Sequence, residues 1–273
     1  MIKIFISVRN RLAITKKCIY ALKEHSTIKH QIYVYNNETN YRLKEHFEYF
    51  YKLYEKRLIS QITFTTSGST FNAFSKASTC NFFGQQHEQD PNKDKYMFLV
   101  ILDNDIIVTP GWDTKLAKSW KFVNKNKLHH IKVIGQLPGG IKNVTEKYTI
   151  GKTLAKAGKL GGSGLWSVRP NFFREVGFLD LKRLVGHNKM HDQLYWNLLE
   201  RCSGGKPYIL GLEEKLAIHC GLKVGSICNV LQHSRSDTLE KIKFKDAEKE
   251  IDKLDFKTFY DQVSNNVLLI KDW

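Results

Sequence analysis

The stretch best equipped for chemistry is Leu99–Trp112, LVILDNDIIVTPGW, where an unbroken apolar run leads into Asp103-Asn104-Asp105. A run without alternation is what a strand covered on both faces looks like. Alternate residues of an extended chain point to opposite sides, so the two carboxylates leave the strand end in different directions. The carboxyl ends of central parallel strands border the crevice where open α/β sheets bind ligands. Two hard oxygen donors at such a place suit Mg²⁺ or Mn²⁺, and a divalent ion there suits a diphosphate. The plainer reading of the same residues is an acidic turn that caps the next helix.

The elements that must position these carboxylates follow from patterning. Residues 2–8 (IKIFISV) form a β-branched apolar run, and in 12–25 Leu12, Cys18, Ile19 and Leu22 share one helical face. Residues 31–35 read as a second strand stopped by Asn36-Asn37, 40–59 as a helix, and 61–65 as a third strand ending at Ser67-Gly68-Ser69. A helix over 70–84 and the strand 96–102 complete a β-α-β-α-β-α-β alternation. That order predicts an α/β fold with a mostly parallel central sheet flanked by helices.

Beyond Asp105 the spacing predicts a helix near 110–126, a strand near 131–135, and a long irregular loop over the Gly- and Lys-rich residues 136–164. A strand at 164–168, helices at 170–177 and 189–202, and strands near 206–210 and 215–219 follow. Residues 236–273 read as a charged helical tail packing through Leu239, Ile242, Ile251, Leu254 and Phe259. The expected organisation is one domain over 1–232, divided at Asp105, with a small C-terminal helical extension over 233–273.

Composition limits the classes. With 42% hydrophobic and 12% aromatic residues in 273, the chain can bury a core, which excludes global disorder. No run is long and apolar enough for a transmembrane helix, and the N-terminus lacks a signal-peptide pattern, so a cytoplasmic protein is expected. Cys18, Cys80, Cys202, Cys220 and Cys228 include no C-x-x-C pair and are expected as reduced thiols. The net charge is +16, and residues 115–159 hold eleven lysines against the single acid Glu146. Such an excess attracts polyanions, or it is a solvated lysine face. His129-His130, within this stretch, reads as surface.

The order of motifs over roughly residues 2–221 resembles the GT-A glycosyltransferases, most closely the family 2-like, inverting, nucleotide-sugar-dependent branch. ISVRNRLAITKKCIYALKEHS is similar to the opening strand–turn–helix, with Arg9-Asn10-Arg11 in the turn that lies against the nucleotide. IYVYNNET is similar to the second strand, with Asn36 and Asn37 where the family carries an acid that grips uracil and ribose. LDNDIIVTPGW resembles the Asp-x-Asp segment and GGSGLWSVRPNFFREVGFLD the acceptor-side segment. HDQLYWNLLERC resembles the helix that carries the catalytic base, with His191 in place of the first acid. LAIHCG resembles the strand with a metal-binding histidine.

The resemblance implies a role for each position. Asp105 and His219 become metal ligands, and Asp103 a ligand or a contact to ribose or metal-bound water. Without the family, His219 reads as a satisfied core histidine. Ser7, Arg9, Asn10, Arg11, Asn36, Asn37, Asp103, Asn104, Gly161 and Gly162 become the nucleotide-sugar site, with UDP-sugar the expected donor. Asp192 becomes the base, its plainer reading being a carboxylate at a helix N-terminus. Lys152, Lys156, Lys159, His191 and Trp166 fall on the acceptor side, and the plainer, preferred reading of Trp166 is core. The 1–105 half then binds donor and the 106–232 half acceptor.

The lysine excess points to a polyanionic acceptor. DNA with a hydroxymethylated base, as in phage-type DNA modification, is favoured over an anionic glycan or membrane lipid. A basic, non-catalytic nucleic-acid-binding module is the alternative outside enzymes. A nucleotidyltransferase also uses paired aspartates, but it needs a glycine-rich loop after the first strand, and Arg9-Asn10-Arg11 contains no glycine.

Overall fold

The computed structural model describes residues 1–8, 11–36, 43–65, 72–136, 141–161, 164–179, 191–220 and 249–264. Four parallel strands open the chain: β1 (Ile2–Val8), β2 (His30–Asn36), β3 (Gln61–Phe64) and β4 (Leu99–Asp103). Their crossovers are α1 (Leu12–His25), α2 (Leu43–Glu55) and α3 (Asn72–Gln89), so the expected alternation is present, with α3 running further than the pattern indicated. Every residue of β1 is buried, as a strand with helices on both faces requires.

Next come β5 (Ile106–Val108), α4 (Trp112–Lys125), β6 (Val133–Gly135), β7 (Ile141–Lys142), β8 (Glu146–Ile150), β9 (Thr153–Gly158), β10 (Leu160–Gly161) and β11 (Leu165–Val168). The described chain ends with α5 (Phe172–Val176), α6 (His191–Ser203), β12 (Ile209–Leu212), β13 (Ala217–His219) and α7 (Phe256–Ser264). The central sheet runs β3-β2-β1-β4-β11-β6-β12-β9-β8, and β11 and β9 alone oppose the common strand direction. Two small sheets, β10-β7 and β13-β5, stand beside it.

Alternate residues of β1 feed two cores. Ile4 and Ile6 join Cys18 and Leu22 of α1, Trp112 and Leu116 of α4, and Ile251 and Phe259 near the C-terminus. Phe5 joins Phe83 of α3, Trp166 of β11, Phe172 of α5, and Tyr195 and Leu199 of α6. Within the described residues 249–264, Ile251, Leu254 and Phe259 pack against this core, and Lys16 Nζ reaches Asp252 Oδ1 at 2.7 Å. Leu239 and Ile242 lie outside the described residues. Cys18, Cys80, Cys202 and Cys220 form no disulfide among the described residues, and Cys228 lies outside them. No helix among the described residues is long and apolar enough to cross a membrane.

The 136–164 expectation is corrected: most of this stretch is sheet, not loop. β8 and β9 form a hairpin whose partners Ile150 and Thr153 leave a two-residue turn. Gly151 takes the first turn position at φ 64, a left-handed conformation that glycine adopts freely and that suits a two-residue hairpin. The lysine surplus is also less concentrated than the sequence suggests. Lys115, Lys132, Lys156 and Lys159 pair with Glu214, Glu175, Glu213 and Glu200, all acids from outside the 115–159 stretch.

Candidate metal and nucleotide-sugar site

The site is assembled where β4 ends. Asp103 is in register with Ser7 of β1, and its amide donates to Gly164 O across the β11 edge at 3.0 Å. Asn104 turns inward. Its Nδ2 donates to Thr15 Oγ1 at 2.9 Å, and Thr15 Oγ1 donates to Arg11 O at 2.8 Å, which pins the acidic turn to the first turn of α1. Asn104 is 7% exposed, so its side chain buttresses the turn.

Asp105 is the centre of the cluster. Arg11 Nη1 donates to its Oδ2 at 2.6 Å, and His219 Nε2 lies 3.7 Å from its Oδ1. The chain leaves Asp105 as β5, and β13 pairs with β5 antiparallel, placing His219 opposite Ile106. Cys220 N donates to Asp105 O at 3.0 Å and closes that end of the ladder. One ligand atom each from Asp103, Asp105 and His219 lie within 4.8 Å of one another.

The donor set fits a divalent cation. Two carboxylates and an imidazole provide oxygen and borderline nitrogen ligands of the kind that Mn²⁺ and Mg²⁺ accept. His219 Nδ1 is buried with no hydrogen-bond partner among the described residues. Cys18 lies beneath, with Sγ 4.0 Å from Asp103 O. Burial, then the charges of Asp105 and Asp103, push its thiol pKa well up. Cys18 and Thr15 belong to the support of the site, and the sequence showed only that Cys18 faces inward.

Other expected residues are more dispersed. Asn36 ends β2 fully buried, with Oδ1 3.1 Å from Nδ1 of buried His46. His46 was missed, although its spacing from Phe50 places both on one face of α2. Gly161 pairs with Ile141 in the β10-β7 ribbon. Arg9, Asn10, Asn37 and Gly162 lie outside the described residues. His191 and Asp192 form the first turn of α6, placed by the backbone alone. Lys152 is exposed in the β8–β9 turn, while Lys156 and Lys159 are engaged by Glu213 and Glu200.

The acceptor-stacking role for Trp166 is corrected. It has no exposed surface, so the core role is the one realised. Its ring meets Tyr195 of α6 edge-on at 5.2 Å and helps to fix the helix that starts at His191-Asp192.

No protein-family model matches the chain, and no curated protein sequence matches it. Among solved structures it is similar to GalNAc-T7 with UDP, GalNAc and Mn²⁺, with a TM-score of 0.53 and 13% identity over 98% of this chain and 57% of that one. Staphylococcus aureus TarS gives a TM-score of 0.48 at 11% identity, covering 98% of this chain and 42% of that one. The 1–349 form of TarS in complex with UDP gives 0.49 at 12% identity, covering 98% and 70%. The chain therefore spans less than half the length of TarS and a little over half that of GalNAc-T7. At 13% identity the likeness to GalNAc-T7 speaks for architecture, and that architecture, a mostly parallel sheet between helices with the acidic turn at its carboxyl edge, is the GT-A fold of glycosyltransferases.

Proposed function

We propose that the chain is a metal-dependent glycosyltransferase that moves a sugar from a UDP-sugar to a hydroxyl of a polyanionic acceptor. The observation that carries this reading is the convergence of Asp103, Asp105 and His219 at the end of β4 in a GT-A fold. The GalNAc-T7 structure contains UDP, GalNAc and Mn²⁺, which supports a nucleotide-sugar donor and a divalent metal.

Asp105 and His219 would hold the ion, with Asp103 either joining them or binding ribose or a metal-bound water. A divalent ion there, Mn²⁺ or Mg²⁺, supplies Lewis-acid neutralisation of the leaving diphosphate. Asp192 would accept the proton of the acceptor hydroxyl, and one such base suffices for a single inverting displacement. Its place in the first turn of α6, held by the Trp166–Tyr195 contact, gives it a fixed platform.

For the acceptor we favour DNA with a hydroxymethylated base. The support is the lysine surface: Lys118, Lys121 and Lys125 share one face of α4 and are exposed, as are Lys127, Lys147 and Lys152. Lysines on phosphates give affinity that falls steeply with salt.

The test incubates the protein with a panel of UDP-sugars and Mn²⁺ and measures UDP release. Transfer is then followed to hydroxymethylated duplex DNA, an anionic glycan and anionic lipid vesicles. Asp192→Asn should retain UDP binding and lose about 10²–10⁴-fold in transfer. Near-wild-type turnover by that variant removes Asp192 as the base. Transfer to glycan or lipid and not to DNA overturns the acceptor assignment, and salt-sensitive DNA binding with no UDP formed makes the chain a binding module.

A further inference from the structure

Arg11 stands where local preferences oppose an arginine. It is the N-cap of α1 yet forms no side-chain cap, and its backbone is left-handed at φ 57, ψ 47. Left-handed backbone is disfavoured for residues with a Cβ, and N-caps favour Ser, Thr, Asp, Asn or Gly. A cation at a helix N-terminus also faces the positive end of the helix dipole. The N-cap of α4 is an internal comparison: it too is left-handed, and there the residue is Gly111 at φ 70. The feature that offsets all three costs at Arg11 is the ion pair to Asp105, with side chains only 12% and 5% exposed. Positions that break local rules in this way are commonly functional.

We propose that Arg11 is the resident counter-cation of the metal centre, and that it makes metal binding depend on the donor's diphosphate. This rests on the metal-site reading above. Arg11 holds Asp105 Oδ2, while Oδ1 of the same carboxylate faces His219. A divalent cation drawing on Asp103, Asp105 and His219 sits close to the guanidinium, and the two cations repel each other through the carboxylate they share. Metal alone therefore binds weakly. A diphosphate that arrives with the metal gives the released guanidinium a new anionic partner, with geometry suited to phosphate. Metal and nucleotide then bind cooperatively, and the coupling is reciprocal. Arg11 is a positioning residue here, because it acts through Asp105.

The experiment measures Mn²⁺ binding to the full chain by calorimetry and by the electron paramagnetic resonance of free Mn²⁺, with and without UDP. The wild type is compared with Arg11→Gly, Arg11→Met and Arg11→Lys. Arg11→Gly keeps the left-handed turn without strain, so it tests the guanidinium with the fold preserved. Arg11→Gly and Arg11→Met should bind Mn²⁺ alone at least about tenfold more tightly, about 1.4 kcal/mol. UDP should then tighten Mn²⁺ binding much less in these variants than in the wild type. Arg11→Lys should stay close to the wild type for Mn²⁺ alone, because it keeps the charge. Unchanged or weaker Mn²⁺ binding by Arg11→Gly overturns the proposal. If instead Mn²⁺ does not bind the wild type even with UDP, or binds Asp105→Asn equally well, the metal-site reading itself falls.

Discussion

Replacing Asp105 by asparagine removes one charge from a pair that the fold encloses. Arg11 Nη1 lies 2.6 Å from Asp105 Oδ2, and both side chains are largely shielded from water. Removing one partner of a buried pair costs about 3–5 kcal/mol, because the remaining charge is stranded. Arg11 keeps a little solvent access and an amide oxygen still accepts a hydrogen bond, so the low end, about 3 kcal/mol, is expected. Unfolding entropy is about 2.1 cal/mol/K per residue, and for 273 residues that cost lowers Tm by about 5 °C. The double variant Arg11→Met with Asp105→Asn should recover most of the loss, since replacing both members of a buried pair is close to neutral. The assay is urea and thermal unfolding in buffer containing EDTA. A second series at saturating Mn²⁺ should raise the Tm of the wild type and leave Asp105→Asn unmoved. A double variant as unstable as Asp105→Asn alone would refute the claim that the loss comes from the stranded guanidinium.

Two further expectations concern the frame. His87 is buried, with Nδ1 3.4 Å from Lys3 Nζ and Nε2 2.8 Å from Pro170 O; burial first and Lys3 second hold its pKa below the ordinary value. The unfolded chain therefore takes up that proton first. The stabilisation is complete above about pH 6.5 and is lost as pH falls from there through the folded value. His87→Gln should flatten the pH dependence of urea unfolding just below about pH 6.5, by up to about 1.4 kcal/mol per pH unit, and an unchanged slope sinks this assignment. At Gly135, in register with Gly211, a Cβ would meet Leu165 O at 2.3 Å. Gly135→Ala should cost about 3 kcal/mol in urea unfolding, the upper end for overpacking, because the obstacle is backbone. A loss under about 1 kcal/mol would show that β6 and β11 can separate more easily than this contact allows.

Much of the first half was legible because its signals are local. The apolar runs of β1 and β4, the helical spacing of Leu12, Cys18, Ile19 and Leu22, and the order of strands and helices fix a parallel sheet with Asp103 at a strand end. The hairpin β8–β9 was not read. Its alternation is short and interrupted by lysines, and glycine served there as a turn former and not as a sign of irregularity. Trp166 shows the limit for single residues: a tryptophan after glycines suits a sugar as well as a core, and its complete burial against Tyr195 realises the core reading that the sequence favoured.

The sequence by itself determined which chemistry the chain can host: two carboxylates at the end of a buried strand, and a net positive charge. The tertiary structure decided which residues share that chemistry. β13 returns beside β5 and brings His219 to Asp105, and the left-handed cap of α1 turns Arg11 onto the same carboxylate. Glutamates from outside the lysine-rich stretch reach four of its lysines. The physical reason is the range of the interactions. Strand and helix patterns repeat over a few residues, whereas ion pairs and metal clusters depend on distances of a few ångströms between segments far apart in the chain, which exist only once the sheet has formed.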